Sequence, residues 1–465
     1  MTDRAQRPED YATTYVIGAG VGGLVLAWEL ARRGRPVVVL EASDRAGGQL
    51  ARQTVAGLDL DAAAESFATR GGTVATLVGE LGLADDVVTP AETPAWLHRA
   101  DGSSTPLPAT SILGIPGVPM AADVIAAVGG GGAWRAQLDS LIPGLVAAKS
   151  TTLGELVRRR MGVGVLEGLV APVVRGVHSM HPDELPIDRA APGLIGAMRR
   201  EGSLARAVQS LRERAPAGSQ VAGLRGGVHR IVDALVAEIE RFGGEVRTGV
   251  RVASIEPAQA DAHVELPASA GLDARNPAEA GNSVITTEAG ERFEGQVVLA
   301  TPALLPAEAR PESREITLVT LVVDAPGLDS APRGTGVLVA ADAPGVVARA
   351  LTHATAKWAW LAEAGAASAP GRSRHVLRLS YDERPADPAA QALADASALT
   401  GVPLADPVGT AIATWSRASR AVHAVDGMHL VGEAGSGTGL AAVVAGAREQ
   451  AGRLLGSSGD DSAPA

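Results

Sequence analysis

The stretch Tyr15–Glu41, YVIGAGVGGLVLAWELARRGRPVVVLE, constrains this chain more than any other. Tyr15–Ile17 predicts a strand, the glycines a tight turn, residues 22–33 a helix, and Pro36–Leu40 a second strand. Gly18, Gly20 and Gly23 fall at the G-x-G-x-x-G positions. In that pattern the first glycine permits the turn and the second lets the backbone approach a pyrophosphate. The third lets the helix pack close to the strand, so that the ligand meets a helix N-terminus. Glu41 closes the second strand, where a carboxylate can accept from the ribose hydroxyls of an adenosine. A glycine fingerprint alone is a weak signal in a chain with 56 glycines. Strand, turn, helix, strand and acid in that order predict a dinucleotide-binding βαβ unit, with the choice of dinucleotide left open.

A length of 465 residues suggests two or three domains with ample core. The formal net charge of −11, with no basic block, argues against non-specific nucleic-acid binding. There is no cysteine, which removes disulfides, thiolate metal sites, redox dithiols and a cysteinyl-linked flavin. The polar N-terminus lacks a signal-peptide core, and no run approaches the ~20 apolar residues of a spanning helix. The expectation is a soluble cytoplasmic protein, at most peripheral at the inner face of a membrane.

After Glu41 the run Ala42–Gly48, with Arg45, Gly47 and Gly48, can fold back over a cofactor, and the arginine can neutralise a phosphate. Leu58–Arg70 starts as a strand and ends in small residues around Glu65, which suits a backbone passing close to a flat ring. Thr73–Leu83 has helical spacing, and Thr93–Pro108 predicts a hairpin turning at Asp101-Gly102. Ile112–Pro119 predicts a rigid connector. Residues 120–217 predict four to six helices, with breakers at Gly129–Gly132. Ala171–Asp188 is less regular; its His178 and His181 stand three apart, but without a clear helix beneath them no metal site is expected.

Two glycines and an amphipathic helix follow in Leu224–Val246, and strands are expected at Glu245–Ile255, Asn282–Glu288 and Gln296–Ala300. The last ends in Ala300-Thr301-Pro302, and Pro257–Gly281 predicts a loose insertion. A second, antiparallel sheet is expected from Glu315–Val323, Gly336–Val339, Val346–Thr352 and Val376–Tyr381. A helix at Pro388–Leu399 and strands at Ile412–Ser416 and Met428–Gly432 come next. Gly435–Gly439 then opens a helix from about Leu440 to Leu455, and the tail beyond Gly456 is expected to be disordered. This C-terminal strand-glycine-helix unit favours a flavin over a nicotinamide. Its helix N-terminus can stabilise charge that builds on the pyrimidine side of the ring during reduction.

Together these motifs resemble the FAD-dependent protoporphyrinogen and coproporphyrinogen oxidases of the bacterial haem pathway, within the amine-oxidase-like flavoproteins. Val16–Glu41, Arg45–Gly48, Asp61–Phe67 and Gly432–Gly446 carry the wider resemblance. Pro106–Pro116, Arg175–Ile187, Leu224–Leu235 and Thr352–Trp360 carry the narrower one. The resemblance implies an α/β + α fold: a discontinuous Rossmann-like FAD domain with an inserted antiparallel-sheet substrate domain and a helical lobe. The implied division is FAD domain at 1–92, 218–306 and 425–465, substrate domain at 93–119 and 307–424, and helical lobe at 120–217.

It further implies that Gly18, Ala19, Gly20, Gly22, Gly23, Glu41, Ala42, Arg45, Gly47 and Gly48 surround the ADP half of a non-covalent FAD. Val252 would lie on the strand whose backbone contacts adenine. Glu65, Ala300, Thr301 and Trp415 would line the cofactor, with Gly432, Glu433, Gly439 and Leu440 at its flavin end. The implied reaction is oxidation of a porphyrinogen by hydride transfer to the flavin, with molecular oxygen as acceptor and hydrogen peroxide as product. No protein acid/base pair is required. Arg175, Arg70, Arg99 and Lys357 are the candidates for substrate carboxylates, and Lys357 also matches the lysine that holds a water near the flavin in amine oxidases.

The chain departs from the family pattern at Ala63, where glycine is usual, and at Ser416–Val422, which lacks a proline and a tyrosine. Ala95 or Trp96 stands where some relatives place a propionate-holding arginine. An amine or carotenoid oxidase, or a non-catalytic tetrapyrrole-binding flavoprotein, stays open, as does the choice between coproporphyrinogen III and protoporphyrinogen IX. No oligomeric state follows from the sequence.

Overall fold

The computed structural model describes residues 12–69, 71–178, 180–214, 221–257, 282–418, 422 and 428–456. Its first sheet is Rossmann-like. The strands Glu245–Arg247, Val37–Leu40, Thr14–Ile17, Arg292–Leu299 and His429–Leu430 lie side by side in that order, every junction parallel. Val16, Val37, Val39, Leu40, Val298 and Leu299 are all buried, as expected of parallel strands covered on both faces. The expected Glu245–Ile255 strand is two strands, because Gly249 turns the chain at φ 72 between Glu245–Arg247 and Val252–Pro257. The second of these pairs with Ser283–Thr287 in an antiparallel meander that rejoins the sheet through Arg292–Leu299.

The helix Val21–Ala31 is buried along its whole length. It is apolar all round because the helices Arg230–Arg241 and Leu440–Gly456 pack against it. Its one acidic residue, Glu29, is 3% exposed and gathers Arg32, Arg33 and Arg448 at 2.7, 2.6 and 3.2 Å. Arg448 also pairs with Glu80. The first and last helices of the fold are therefore joined by charge as well as by packing.

The second sheet runs Gly409–Ala418, Ser313–Asp324, Arg374–Tyr381, Ala350–His353, Gly336–Val339, Trp96–His98, Ser104–Pro106. It is antiparallel as expected except at one junction. Gly336–Val339 pairs parallel with Trp96–His98, because the hairpin from early in the chain is added to the sheet edge. Alternation along the strands gives two faces. Val319, Leu321, Leu377, Leu379 and Tyr381 share one apolar core with Ala392, Ala396 and Leu399 of the helix Pro388–Thr400. The other face carries Ile316, Leu318, Thr320, Arg378 and Trp415 and meets the first sheet's domain; Gln53 donates to Thr320 across that boundary at 3.1 Å.

Between residues 122 and 214 the helices Ala122–Gln137, Leu153–Met161, Ala171–His178, Leu194–Glu201 and Leu204–Arg214 enclose their own apolar core. The glycine run breaks the first of these as expected: Gly129, at φ 73 and ψ 164, leaves helical geometry, and two helical pieces meet there at a kink. Two expectations are corrected here. The connector Ile112–Pro119 holds a hairpin, Ser111–Ile112 against Ile115–Pro116, turned by Leu113 and Gly114 at φ 49 and 80. Gly114 is obligatory, since a Cβ there would stand 2.4 Å from the Leu169 carbonyl oxygen. Ala171–Asp188 opens as a helix through His178 rather than as an irregular run. The Pro257–Gly281 insertion beyond residue 257 and the tail beyond Gly456 lie outside the described residues. Among those described, no helix is long and apolar enough to cross a membrane, and no group of three or more His, Cys, Asp or Glu could hold a metal.

Candidate active site

Open parallel sheets bind ligands at the carboxyl ends of the strands where the order reverses. Here that point lies between Thr14–Ile17 and Arg292–Leu299, whose carboxyl ends carry Gly18 and Ala300. The glycines there divide by what a side chain would meet. A Cβ on Gly23 would stand 2.2 Å from the Gly18 carbonyl oxygen, and one on Gly22 would stand 2.7 Å from the Gly432 backbone. Those glycines let the first helix, the first strand and the C-terminal unit interlock. A Cβ on Gly20 would meet nothing within 4 Å. Gly20 therefore keeps space open outside the fold, at the N-cap of a helix with no side-chain cap. Unclaimed N–H groups at a helix start are an anion site, and a pyrophosphate fits it.

Glu41 is held at the end of its strand. Its carboxylate accepts from Ala19 N at 2.7 Å, Ser43 N at 2.9 Å and Ser43 Oγ at 2.7 Å. Gly249 N donates to Ser43 O and Val250 N to Glu41 O, which brings the start of the Val252 strand alongside. Gly47 N donates to Ala19 O at 2.8 Å, so the Ala42–Gly48 segment folds back across the glycine turn, with Gly47 and Gly48 at φ 120 and 55. Ala42 and Arg45 are exposed on that segment. Ala300 N donates to Ile17 O, Thr301 caps Ala303 N at 3.3 Å, and Gly432 at φ 79 reaches within contact of Ala300. Glu433 begins a short helical turn, and Gly439, at φ 101, precedes Leu440 and the last helix. The N-terminal and C-terminal glycine units thus meet as one cradle.

Trp415 projects from the second sheet on the face turned toward this cradle, and its indole N–H is buried without a protein partner. Glu65 lies in the loop between the same two bodies. Its carboxylate receives Lys357 Nζ at 2.6 Å and Arg378 Nη1 at 2.6 Å. Burial alone would raise the Glu65 pKa; the two cations outweigh it and pull it down to about 2. Arg378 also donates to the carbonyls of Asp61 at 3.0 Å and Ala63 at 2.6 Å. Asp61 in turn accepts from Val228 N, His229 N and His229 Nδ1 at 3.1, 2.9 and 2.9 Å. Ala63 has no positive φ, so alanine in place of glycine costs the backbone nothing there.

The four substrate candidates do not come together. Arg70 lies outside the described residues. Lys357 is tied to Glu65. Arg99 and Arg175 line one pocket of about 330 Å³ with Asp101, Glu167 and Asp342, at the hairpin edge of the second sheet, and no residue of the glycine cradle borders it. Arg99 is occupied there, donating to Ala126 O at 3.0 Å and standing 3.4 Å from Asp101.

A different set of cations is linked to the Gly432–Leu440 end of the cradle through Glu433. Arg417 shares a strand face with Trp415, and Glu433 and Arg189 both act on it. Burial lowers the Arg417 pKa, Glu433 opposes that fall, and Arg189 adds to it. His178 is pushed down to about 4, by burial first and then by Arg189 and Arg417. Arg349 is also lowered by burial, with Asp382 working against the fall and Arg417 and Arg314 with it. Sequence reading missed this group and Arg378 because their elements lie far apart in the chain. Only the two-residue step from Trp415 to Arg417 gave a local signal.

The family model for flavin containing amine oxidoreductase matches residues 21–323. Among curated proteins, coproporphyrinogen III oxidase of Propionibacterium freudenreichii subsp. freudenreichii is 26% identical over 284 residues, 54% of each chain. The chain spans about half the length of the first such relatives. Coproporphyrinogen III oxidase of Mycobacterium tuberculosis H37Rv is 26% identical over 432 residues, 87% of this chain and 85% of that one. The structure of an Exiguobacterium sp. 255-15 protein assigned as a protoporphyrinogen oxidase superposes with TM-score 0.76 at 22% identity, covering 95% and 98% of the two chains. Putrescine oxidase bound to putrescine superposes with TM-score 0.57 at 14% identity, covering 96% and 99%. These structural likenesses speak for the fold. The family match covers more than half of the chain and includes the first glycine helix and the Glu65 loop; the chain belongs to the flavin-containing amine oxidoreductases.

Proposed function

We propose that this protein oxidises a porphyrinogen, coproporphyrinogen III or protoporphyrinogen IX, to the porphyrin, using non-covalent FAD and molecular oxygen and releasing hydrogen peroxide. One observation carries the reading: the ordered likeness over 432 residues to a coproporphyrinogen III oxidase. The two-part glycine cradle supports it, and the lack of cysteine supports a cofactor without a cysteinyl link.

Bound FAD would supply the two-electron acceptor. The chain's own residues bind and orient. The uncapped start of Val21–Ala31 would receive the pyrophosphate, and Glu41 would offer its carboxylate to the ribose. Arg45 is free to swing toward a phosphate from its exposed position. The Trp415 N–H has a hydrogen bond to give, and the second-sheet face would shield a bound cofactor from water. Conversion of a porphyrinogen to a porphyrin removes six electrons and six protons, so three oxygen molecules become three of hydrogen peroxide. Pyrrole N–H protons leave to solvent, and no side-chain acid or base is assigned to the step.

The test is a fluorescence assay in air with both porphyrinogens side by side and peroxide measured in parallel. Porphyrin fluorescence rising with peroxide, above the no-enzyme rate, supports the reading. Flavin-loaded protein that turns over neither porphyrinogen refutes it, and peroxide from an amine in place of a porphyrinogen assigns the chain to amine oxidation.

A further inference from the structure

The strand Leu58–Asp61 pairs with Arg52–Val55, and the backbone goes on pairing past its end. Ala62 N donates to Ala51 O at 2.8 Å and Ala64 N to Gln49 O at 3.2 Å. Neighbouring residues of an extended chain turn their backbone groups to opposite sides, so the carbonyls of Asp61 and Ala63 face away from that partner. Arg378 takes both, donating from Nη2 at 3.0 and 2.6 Å, and its Nη1 reaches Glu65 at 2.6 Å. Arg378 is 6% exposed and stands inside the second-sheet strand Arg374–Tyr381. A single planar guanidinium therefore holds Asp61, Ala63 and Glu65 in line, which its fork of donors allows and an ammonium does not.

The pinned loop leans on the cofactor cradle. Gln49 belongs to the short turn Gly48–Leu50, and Gly47 forms a bridge with Gly20. A Cβ on Gly48 would stand 3.5 Å from the Gly20 Cα. Arg378 is thus joined to Gly20, the glycine that leaves room for a ligand, through Ala63, Ala64, Gln49 and Gly48. From the other side the Asp61 carboxylate accepts from Val228 N and His229 N, so the loop is fixed from both domains. Lys357 Nζ reaches the same loop at Glu65, beyond the two carbonyls.

We infer that Arg378 is a positioning residue for the flavin cofactor. Acting through the Asp61–Glu65 loop, it keeps Gln49 and Gly48 seated against Gly20 and so sets the space in which the dinucleotide binds. Cofactor affinity is thereby tied to the seating of the second sheet on the first domain. Without Arg378 the two carbonyls lose a buried donor, and the loop is free to move off the glycine turn. This holds whichever substrate the flavin oxidises.

The experiment titrates the cofactor-free full chain with FAD, follows the flavin absorbance spectrum, and measures cofactor-free Tm on every variant. Arg378→Met should weaken FAD about tenfold or more, the scale expected when buried carbonyls lose their donor, and should alter the bound-flavin bands. Arg378→Lys should recover part of the loss, because an ammonium can hold Glu65 but cannot fork to both carbonyls. Lys357→Met, which spares the carbonyls, should change FAD affinity less than Arg378→Met. Tyr381→Phe is the control for lost stability: on the other face of the same strand it gives up the hydrogen bond to Asp395, so cofactor-free Tm should fall with FAD affinity unchanged. FAD affinity equal to the parent's in folded Arg378→Met, or weakened as much by Tyr381→Phe, overturns the inference. If Arg378→Met does not fold, Arg378→Lys decides, and parental FAD affinity in that variant overturns it equally. A parent protein that binds FAD and shows the Arg378 effect but oxidises neither porphyrinogen leaves the positioning role standing and removes the proposed function.

Discussion

The cofactor cradle and the cation junction are neighbours built from different materials. The cradle is backbone: Gly22 and Gly23 leave no room for a Cβ against neighbouring main chain, Gly18 and Gly432 hold positive φ, and Gly20 leaves space for a ligand. The junction is side chain: Arg417, Arg189, Arg349 and His178 converge from strands and helices of two bodies. A backbone site needs particular residues at fixed local spacing, whereas a side-chain site needs only that distant elements meet. The Glu65 clamp lies between these extremes, a local loop held by two cations that come from 292 and 313 residues away. A backbone site should therefore fail by steric steps, and a side-chain site by charge.

The largest effect is expected where backbone meets backbone. Gly23→Ala places a Cβ 2.2 Å from the Gly18 carbonyl oxygen, so the first helix has to move away from its strand. The purified variant should lose its flavin and much of its stability. Gly20→Ala meets nothing within 4 Å and sits at φ −69, so its Tm without cofactor should match the parent while flavin affinity drops. Equal loss of apo-protein Tm in the two variants would break the distinction between packing glycines and ligand glycines.

Next in size is the clamp. Glu65→Gln strands Lys357 and Arg378 without their shared anion and should cost roughly 3–5 kcal/mol in urea unfolding, the range for breaking one side of a buried pair. Lys357→Met leaves Arg378 on Glu65 and should be milder, keeping flavin while lowering turnover. Kinetics identical to the parent would remove Lys357 from the site.

Acid should act on both regions with the same sign. Glu65 has a folded pKa of about 2, below its unfolded value, so its stabilisation is present above the ordinary glutamate range and is lost as pH falls toward 2. His178 and His353 are both depressed to about 4, chiefly by burial. Between the ordinary histidine value and about 4 the unfolded chain binds more protons than the folded one, so stability declines as pH drops through that window. Tm measured from pH 7 to pH 4 should fall, and the His178→Gln/His353→Gln double variant should flatten the upper part of the decline. A parent Tm that rises on acidification contradicts these assignments.

The smallest effect belongs to Arg99→Gln. Its pocket borders no cradle residue, so KM for either porphyrinogen should change less than twofold on steady-state assay, about 0.4 kcal/mol or less. A larger change would place substrate recognition at the hairpin edge.

What could be read beforehand follows the same division. Gly18, Gly20, Gly23 and Glu41 announce a dinucleotide cradle because the turn, the helix start and the strand end are local events. The C-terminal glycines point to a partner unit, and Gly22 against Gly432 shows how closely the two units meet. Strand positions in the second sheet were legible from β-branched runs, but its parallel junction was not, since Trp96–His98 joins across more than two hundred residues. Gly129 shows what was local for helices too: the glycine run that propensity reads as a break is where helical geometry is lost. Arg378 was hidden inside an apolar strand, and its role exists only because the Asp61–Glu65 loop lies over that strand.

The central claim is that the two glycine units form one backbone cradle for a flavin dinucleotide, in which Gly20 leaves the space the ligand takes. Its most direct test is flavin affinity and cofactor-free Tm of Gly20→Ala measured beside the parent and Gly23→Ala. The claim predicts a Gly20→Ala variant with the parent's cofactor-free Tm and weakened flavin binding. A Gly20→Ala variant that holds flavin as tightly as the parent, or that loses as much cofactor-free Tm as Gly23→Ala, would contradict it.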